Sequence, residues 1–188
     1  MWSRGMPVRI QKGLTLIEML ITLAIVAIIA TAVSPSIQSI LIKNRIVSEI
    51  NELSAVIQFA RNNAIEQQIT TVVCPSADYL ACTTNWNDPK IVFIDADNNG
   101  NRAANEELLA STGPISDNNE LTGPANSLFF SPTGESSANV ELLLCHTSQK
   151  AEYARSLTIA LQGRVKVSGD SDRNGIHEDT DGTPLSCP

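Results

Sequence analysis

An α+β fold, in which one long N-terminal α-helix packs on an antiparallel β-sheet domain, is predicted by three observations. From Leu14 to Val33 the chain is almost wholly apolar, and Glu18 is its one ionisable group. Beyond Val33 the apolar residues keep a helical period as far as the glutamines at 67 and 68. From Thr70 the period changes to two, in short β-prone runs separated by Asn, Asp, Gly and Pro clusters.

The first element has the length of a membrane span. At about 1.5 Å per residue it matches a hydrocarbon core of about 30 Å. Arg4, Arg9 and Lys12 precede it with no acid among them, which by the positive-inside rule keeps the N-terminus in the cytoplasm and exports the chain beyond the apolar run. Glu18 is anomalous there, because a carboxylate at the bilayer centre costs about 2.5–3.5 kcal/mol on insertion scales and calls for a partner. Ala30–Ala32 offers the A-x-A site of a conventional signal peptide. Such a removable signal has no use for a buried Glu, and its cut would sever a helix that continues in phase.

The second element, running past Pro35, has Ile40, Val47, Ile50, Ser54, Ile57, Arg61 and Ala64 on one stripe, with Lys43, Glu49, Glu52 and Glu66 on other faces. Pro35 lacks an N–H and marks the join between the two halves, where a kink is expected. The strands expected next are TTVVC, KIVFID, SLFFS, VELLLCH, SLTIAL and RVKVS. The last two flank Gln162 and Gly163 as a hairpin that turns Leu157, Ile159 and Leu161 to one side, with Val165 and Val167 beside them. The segments are therefore 1–13, 14–34, 35–69 and 70–188.

All four cysteines, Cys74, Cys82, Cys145 and Cys187, fall in the exported part, where disulfides persist. Four cysteines allow three pairings. The short loop PSADYLA favours Cys74–Cys82, and Cys145–Cys187 would then tie down an acidic, turn-rich tail whose only sizeable apolar side chains are Ile176 and Leu185. No C-x-x-C pair occurs and His146 and His177 lack ligand spacing, which argues against zinc.

Two runs fit the calcium-loop template D-x-[DN]-x-[DN]-G, in which oxygens converge on a hard cation around a glycine bend. One offers Asp95, Asp97, Asn99 and Asn101 with Gly100 and Glu106. The other offers Asp170, Asp172 and Asn174 with Gly175 and Asp181. A solvated hairpin turn would use the same residues. No nucleophile–His–acid set, phosphate loop or carboxylate pair stands out, so an enzyme is not expected and calcium is the one cofactor to consider. Trp2 and Trp86 are isolated, the second expected to be packed. The net charge is −7, and without the three leader bases it is −10. That balance repels nucleic acid except at a local patch.

The basic leader ending in Gly13, followed by LTLIE and the apolar run, resembles the class III leader of type IV pilins and type II secretion pseudopilins. The resemblance implies a pilin-like fold, cleavage by a prepilin peptidase between Gly13 and Leu14, and N-methylation of Leu14, where the family more often has Phe or Met. Glu18 is then the fifth residue of the product and Pro35 the twenty-second, positions those residues hold in the family. There the carboxylate is thought to attract the α-amino group of a neighbouring subunit during helix stacking, a strong attraction at low dielectric. Further along, QFARNNAIEQQITTVVC, KIVFIDADNNGNRAANEELL and LQGRVKV resemble the FimT/FimU minor pilins and the related GspH pseudopilins. This implies a single-pass inner-membrane protein with a periplasmic domain, later drawn by other minor and major pilins into a pilus whose tip it primes or caps. It leaves open a pseudopilin of type II secretion. Gly163-Arg164-Val165-Lys166 is similar to the Gly-Arg-x-Arg element of DNA-binding members, with Lys166 for the second Arg, which makes Arg164 and Lys166 candidate phosphate contacts.

Overall fold

A computed structural model describes residues 13–188, and the leader bases Arg4, Arg9 and Lys12, with Trp2, lie outside the described residues. Helix α1 runs from Leu16 to Gln67. Position 35 lies within its helical backbone, while the side chains of 32–35, and with them the expected role of Pro35, lie outside the description. The chain divides into two compact units, 1–41 and 42–188.

In the first unit the helix is apolar on every face, with Leu16, Ile17, Leu23 and Ile28 each at least 60% exposed. It is long and apolar enough to cross a membrane, with a mean hydropathy of 2.6.

In the second unit, residues 42–67 of α1 pack on two antiparallel sheets, where the sequence indicated one. Strands β1 (Thr71–Pro75), β2 (Lys90–Ile94), β3 (Leu108–Ser111) and β5 (Leu128–Phe130) form a sheet ordered β3-β2-β1-β5. Strands β4 (Asn119–Thr122), β6 (Val140–His146), β7 (Arg155–Ile159) and β8 (Val165–Val167) form another ordered β4-β6-β7-β8. The unexpected strands, β3 and β4, are both edges. Their sequences, LLAS and NELT, carry weak β-propensity, and each edge strand has one ladder partner, with no buried residue in β3 and two, Asn119 and Leu121, in β4.

The buried stripe of the helix is Ile46, Ile50, Leu53, Ile57, Ala60 and Ala64, spaced by alternating fours and threes. It meets Val73, Val92, Leu128 and Phe130 of the first sheet and Leu121, Leu142, Leu144, Leu157 and Ile159 of the second. Ile40 and Val47, expected on this stripe, are 56% and 42% exposed. Val47 lies one residue, about 100°, from Ile46, and the threes-and-fours row passes through Ile46 instead. Leu161 is also exposed, because β7 ends at Ile159 and Leu161 belongs to the following turn.

Helix α1 ends without glycine. Gln68 adopts φ 55°, and the Ile69 N–H donates to the Ala64 carbonyl at 3.3 Å, a Schellman-type stop that feeds β1 directly. Strands β1 and β2 are buried on both faces. Val72, Cys74, Ile91 and Phe93 form a second cluster beneath the 76–88 connection, which explains why both read as continuous apolar runs.

Candidate functional site

The start of α1 shows what Glu18 does within a single chain. Thr15 is the residue before the helix. Its N–H and hydroxyl donate to Glu18 Oε2 at 2.9 and 3.0 Å, and the Glu18 N–H donates to Thr15 Oγ1 at 3.3 Å. This reciprocal arrangement is a capping box, and T-x-x-E at 15–18 is its sequence signature. Thr15 is absent from the sequence expectations, although that signature was there to find. Leu14 and Gly13 precede the box outside the helix, the segment where the expected cut lies. Glu18 is therefore held at the helix mouth, with exposed apolar side chains around it.

Both bridges are closed, Cys74–Cys82 across 8 residues and Cys145–Cys187 across 42. The first pins the 76–81 loop, whose turn is built on Asp78. Its Oδ1 accepts the Leu80 and Ala81 N–H groups, and the Ala81 bond above all holds the carboxyl below its ordinary range. The second brings Leu185 onto Cys145 and Ala154 at the second sheet. The tail is further held by the Glu178 N–H to the Gly169 carbonyl and the Leu185 N–H to the His177 carbonyl, both 2.8 Å.

Arg61 and Gly163, which lie in two separately recognised motifs, meet in space. Arg61 Nε donates to the Gly134 carbonyl at 2.9 Å and Nη2 to the Gln162 carbonyl at 3.2 Å. Gly163 lies against this junction with φ +72°, and a Cβ placed there would sit 2.0 Å from the Gly134 oxygen. The glycine is thus demanded by packing, whatever the next residues bind. Arg164 and Lys166 are exposed on the opposite side of the strand from Val165 and Val167, which pack on the core. With Asn139, Thr158, Ala160 and Thr180 they line an open cavity of about 330 Å³.

The two acidic loops adopt one geometry. In the first, Asp95 accepts the Asn99 and Gly100 N–H groups at 3.1 and 2.9 Å, and Asp97 accepts Asn99 N–H at 3.1 Å. In the second, Asp170 accepts Asn174 and Gly175 N–H at 3.1 and 3.0 Å, and Asp172 accepts Asn174 N–H at 3.0 Å. Positive φ occurs at matching places, Asn98 with Gly100 and Arg173 with Gly175. Carboxylate oxygens cluster within 4.8 Å in each, from Asp95, Asp97 and Glu106, and from Asp170, Asp172 and Glu178. Burial raises the Asp95 carboxyl above its ordinary range, against its backbone hydrogen bonds. Asp181 does not join the second cluster. Its N–H turns instead onto Asp179 Oδ1 at 2.8 Å, and Glu178 takes the place expected for it.

One polar group on the helix has no counterpart in the sequence expectations. Glu49 accepts the Ser116 N–H and hydroxyl through Oε1 and Asn119 Nδ2 through Oε2 at 2.8 Å, which moors the segment before β4 to α1. Nearby Lys90 is 1% exposed. Burial pushes its ammonium down to about 8, with Glu49, Glu52 and Asp88 opposing the shift.

Comparison with known proteins agrees with this architecture. The family model described as "Type II transport protein GspH" matches residues 49–163, more than half of the chain, and that of the "Prokaryotic N-terminal methylation motif" matches residues 8–34. A search among curated proteins gives no significant match. The type IV minor pilin FimU of Pseudomonas aeruginosa is similar in structure, with a TM-score of 0.56 at 20% identity, over 68% of this chain and 90% of FimU. The minor pseudopilin EpsH of the Vibrio cholerae type 2 secretion system aligns with a TM-score of 0.46 at 16% identity, over 62% of this chain and 90% of EpsH. With an N-methylation segment leading into an apolar helix and a body whose residues 49–163 the family model matches, the chain belongs to the GspH family of type II transport proteins.

Proposed function

We propose that the protein is a minor type IV pilin, cut by prepilin peptidase after Gly13 and N-methylated on Leu14. It is held in the inner membrane by residues 14–34 with its body in the periplasm, and then incorporated at a pilus tip, where it primes or caps assembly. The observation that carries this reading is the start of α1, where one carboxylate is fixed beside the cut site on a helical stretch, 16–31, whose exposed side chains are otherwise apolar except for Thr22 and Thr31. Such a surface is satisfied only by lipid or by other apolar helices. The capping box also lowers the cost of Glu18 before assembly, since its Oε2 already accepts two hydrogen bonds. A neighbouring subunit's α-amino group would supply the opposite charge.

Replacement of Glu18 by Ala in the full chain, co-produced with prepilin peptidase and the other pilins, tests this. The expected variant begins at Leu14 by intact mass and keeps its membrane level, while its share in sheared pili falls about tenfold or more, the equivalent of about 1.4 kcal/mol of lost attraction. Undiminished incorporation would remove the assembly role. Recovery of the wild-type chain with the secretion apparatus, and none of it in sheared pili, would favour a pseudopilin.

A second reading, DNA binding, is favoured by the projection of Arg164 and Lys166 into one open cavity. Binding of labelled duplex that weakens steeply with salt and is lost in Arg164→Ala/Lys166→Ala would support it, because phosphate contacts release counterions. Equal binding by the variant would sink it.

A further inference from the structure

The tail loop holds a carboxylate whose bonding is half complete. Glu178 is 7% exposed and its Oε2 accepts the Ser171 N–H and hydroxyl at 2.8 and 2.9 Å, yet its Oε1 is buried with no hydrogen-bond partner. A buried carboxylate oxygen left unbonded costs more than it would if replaced by an apolar group, so its retention calls for a ligand. Its backbone is fixed at the same time, by bridges that pair Glu178 with Gly169 and with Pro184.

What faces it is more negative charge. Oxygens from Asp170, Asp172 and Glu178 all lie within 4.8 Å of one another. Two cations lie nearby: Arg173, exposed within the loop and in no ion pair there, and Arg155, which is committed elsewhere. Its Nη1 donates to the Glu152 and Ala154 carbonyls at 3.2 and 2.6 Å, and the one ion pair among the described residues is Lys150–Glu152. Metal–oxygen distances of about 2.3–2.6 Å place ligands on opposite sides of a calcium ion about 4.6–5.2 Å apart, so one ion spans this group. The loop oxygens retain a free lone pair each after accepting one N–H.

We propose that residues 170–178 bind a divalent cation of the calcium class, with Asp170, Asp172 and Asn174 supplying the loop oxygens and buried Glu178 closing the site in the place expected of Asp181. The Asp95 loop provides the contrast. There each oxygen of the closing carboxylate, Glu106, has a hydrogen-bond donor, the Ala96 N–H at 2.9 Å and the Ala103 N–H at 2.8 Å, so neither is left unpartnered as Glu178 Oε1 is. The same backbone turn is thus closed by protein in one loop and left open to a cation in the other. Calcium is favoured over magnesium because the ligands sit on a flexible turn, and magnesium demands near-octahedral geometry and parts reluctantly with its waters.

The experiment is calorimetric titration of the detergent-solubilised, chelator-stripped full chain with calcium chloride, and with magnesium chloride alongside. One calcium per chain is expected, with a Kd on the order of 10⁻⁴–10⁻³ M, as in extracellular modules. The Glu178→Gln variant, nearly isosteric, should weaken it at least tenfold, whereas Asp97→Asn should leave it unchanged. Asp172→Asn, exposed and less able to disturb folding, should also weaken it, and intact mass under non-reducing conditions verifies both disulfides in every variant. Absence of calcium uptake at about 10 mM, ten times the weakest Kd of that range, would overturn the proposal. So would uptake that survives both Glu178→Gln and Asp172→Asn, or uptake lost only in Asp97→Asn.

Discussion

Replacement of Gly163 by Ala lowers the stability of the 42–188 body by about 3 kcal/mol. Two costs add. An L-residue in the left-handed region costs about 1–2 kcal/mol, and Gly163 sits at φ +72°. Overpacking a filled site costs about 1–3 kcal/mol more, and here the obstacle 2.0 Å away is the Gly134 carbonyl, with Arg61 Nε at 2.4 Å. The arginine could withdraw, but the carbonyl moves only with its whole turn. For a chain of this size, thermal unfolding followed by circular dichroism should show a midpoint about 6–12 °C lower. Gly182→Ala is the control, since Gly182 has φ +83° and nothing within 4 Å of a Cβ. It should lose only the conformational part. Equal losses in the two variants would show that the turn relaxes and that the contact with Gly134 carries no energy.

Removal of the Cys145–Cys187 bridge, as Cys145→Ala/Cys187→Ala, is the other large change. By chain entropy a loop of 42 residues gives about 4 kcal/mol, against about 2.5 kcal/mol for the loop of 8 residues at Cys74–Cys82. The loss should be local first. Leu185 is the one apolar side chain of the tail that is buried, and burial of one leucine, about 1.5–3 kcal/mol, cannot offset an ordering cost of about 1–2 kcal/mol for each of some twenty residues. Hydrogen exchange should therefore report lost protection at the Glu178 and Leu185 amides while the amides of β6 and β7 stay protected. Retained protection at Glu178 would mean that the bridge is dispensable to the tail.

The sequence carried the helix, the strands of the sheet interiors and the cysteine pairing, because each leaves a local trace. An apolar run of membrane length, VVC or VELLLC bounded by turn residues, and cysteines eight apart across a turn are all read within one window. The edge strands β3 and β4 left none, since LLAS and NELT are fixed by partners rather than by their own propensity. The split into two sheets was illegible for a similar reason, as alternation assigns a strand two faces but not a neighbour. Ile46 rather than Val47 faces the core because the sheets select the row, and both residues are equally apolar. At the candidate sites, spacing found both acidic loops but took Asp181 for the closing ligand, as the template places it twelfth. Only the strand-like bridges of Glu178 bring that side chain inward. Gly163 drew notice for its neighbours Arg164 and Lys166, whereas its own constraint comes from Gly134 and Arg61, far away along the chain.

The Arg61 contacts also bear on how the body would carry load. A pull along α1 reaches the body first through its helix, and apolar packing offers little resistance to sliding, because dispersion is short-ranged and indifferent to direction. Arg61 is different. One planar side chain near the last turn of the helix grips a carbonyl in each of two turns, one beyond β5 and one between β7 and β8. Axial force is therefore shared by turns of both sheets, alongside the Glu49 bonds to Ser116 and Asn119. Forced unfolding is governed by the unfolding rate rather than by equilibrium stability, so loss of the Arg61 contacts is expected to lower the unfolding force more than it lowers the thermal midpoint.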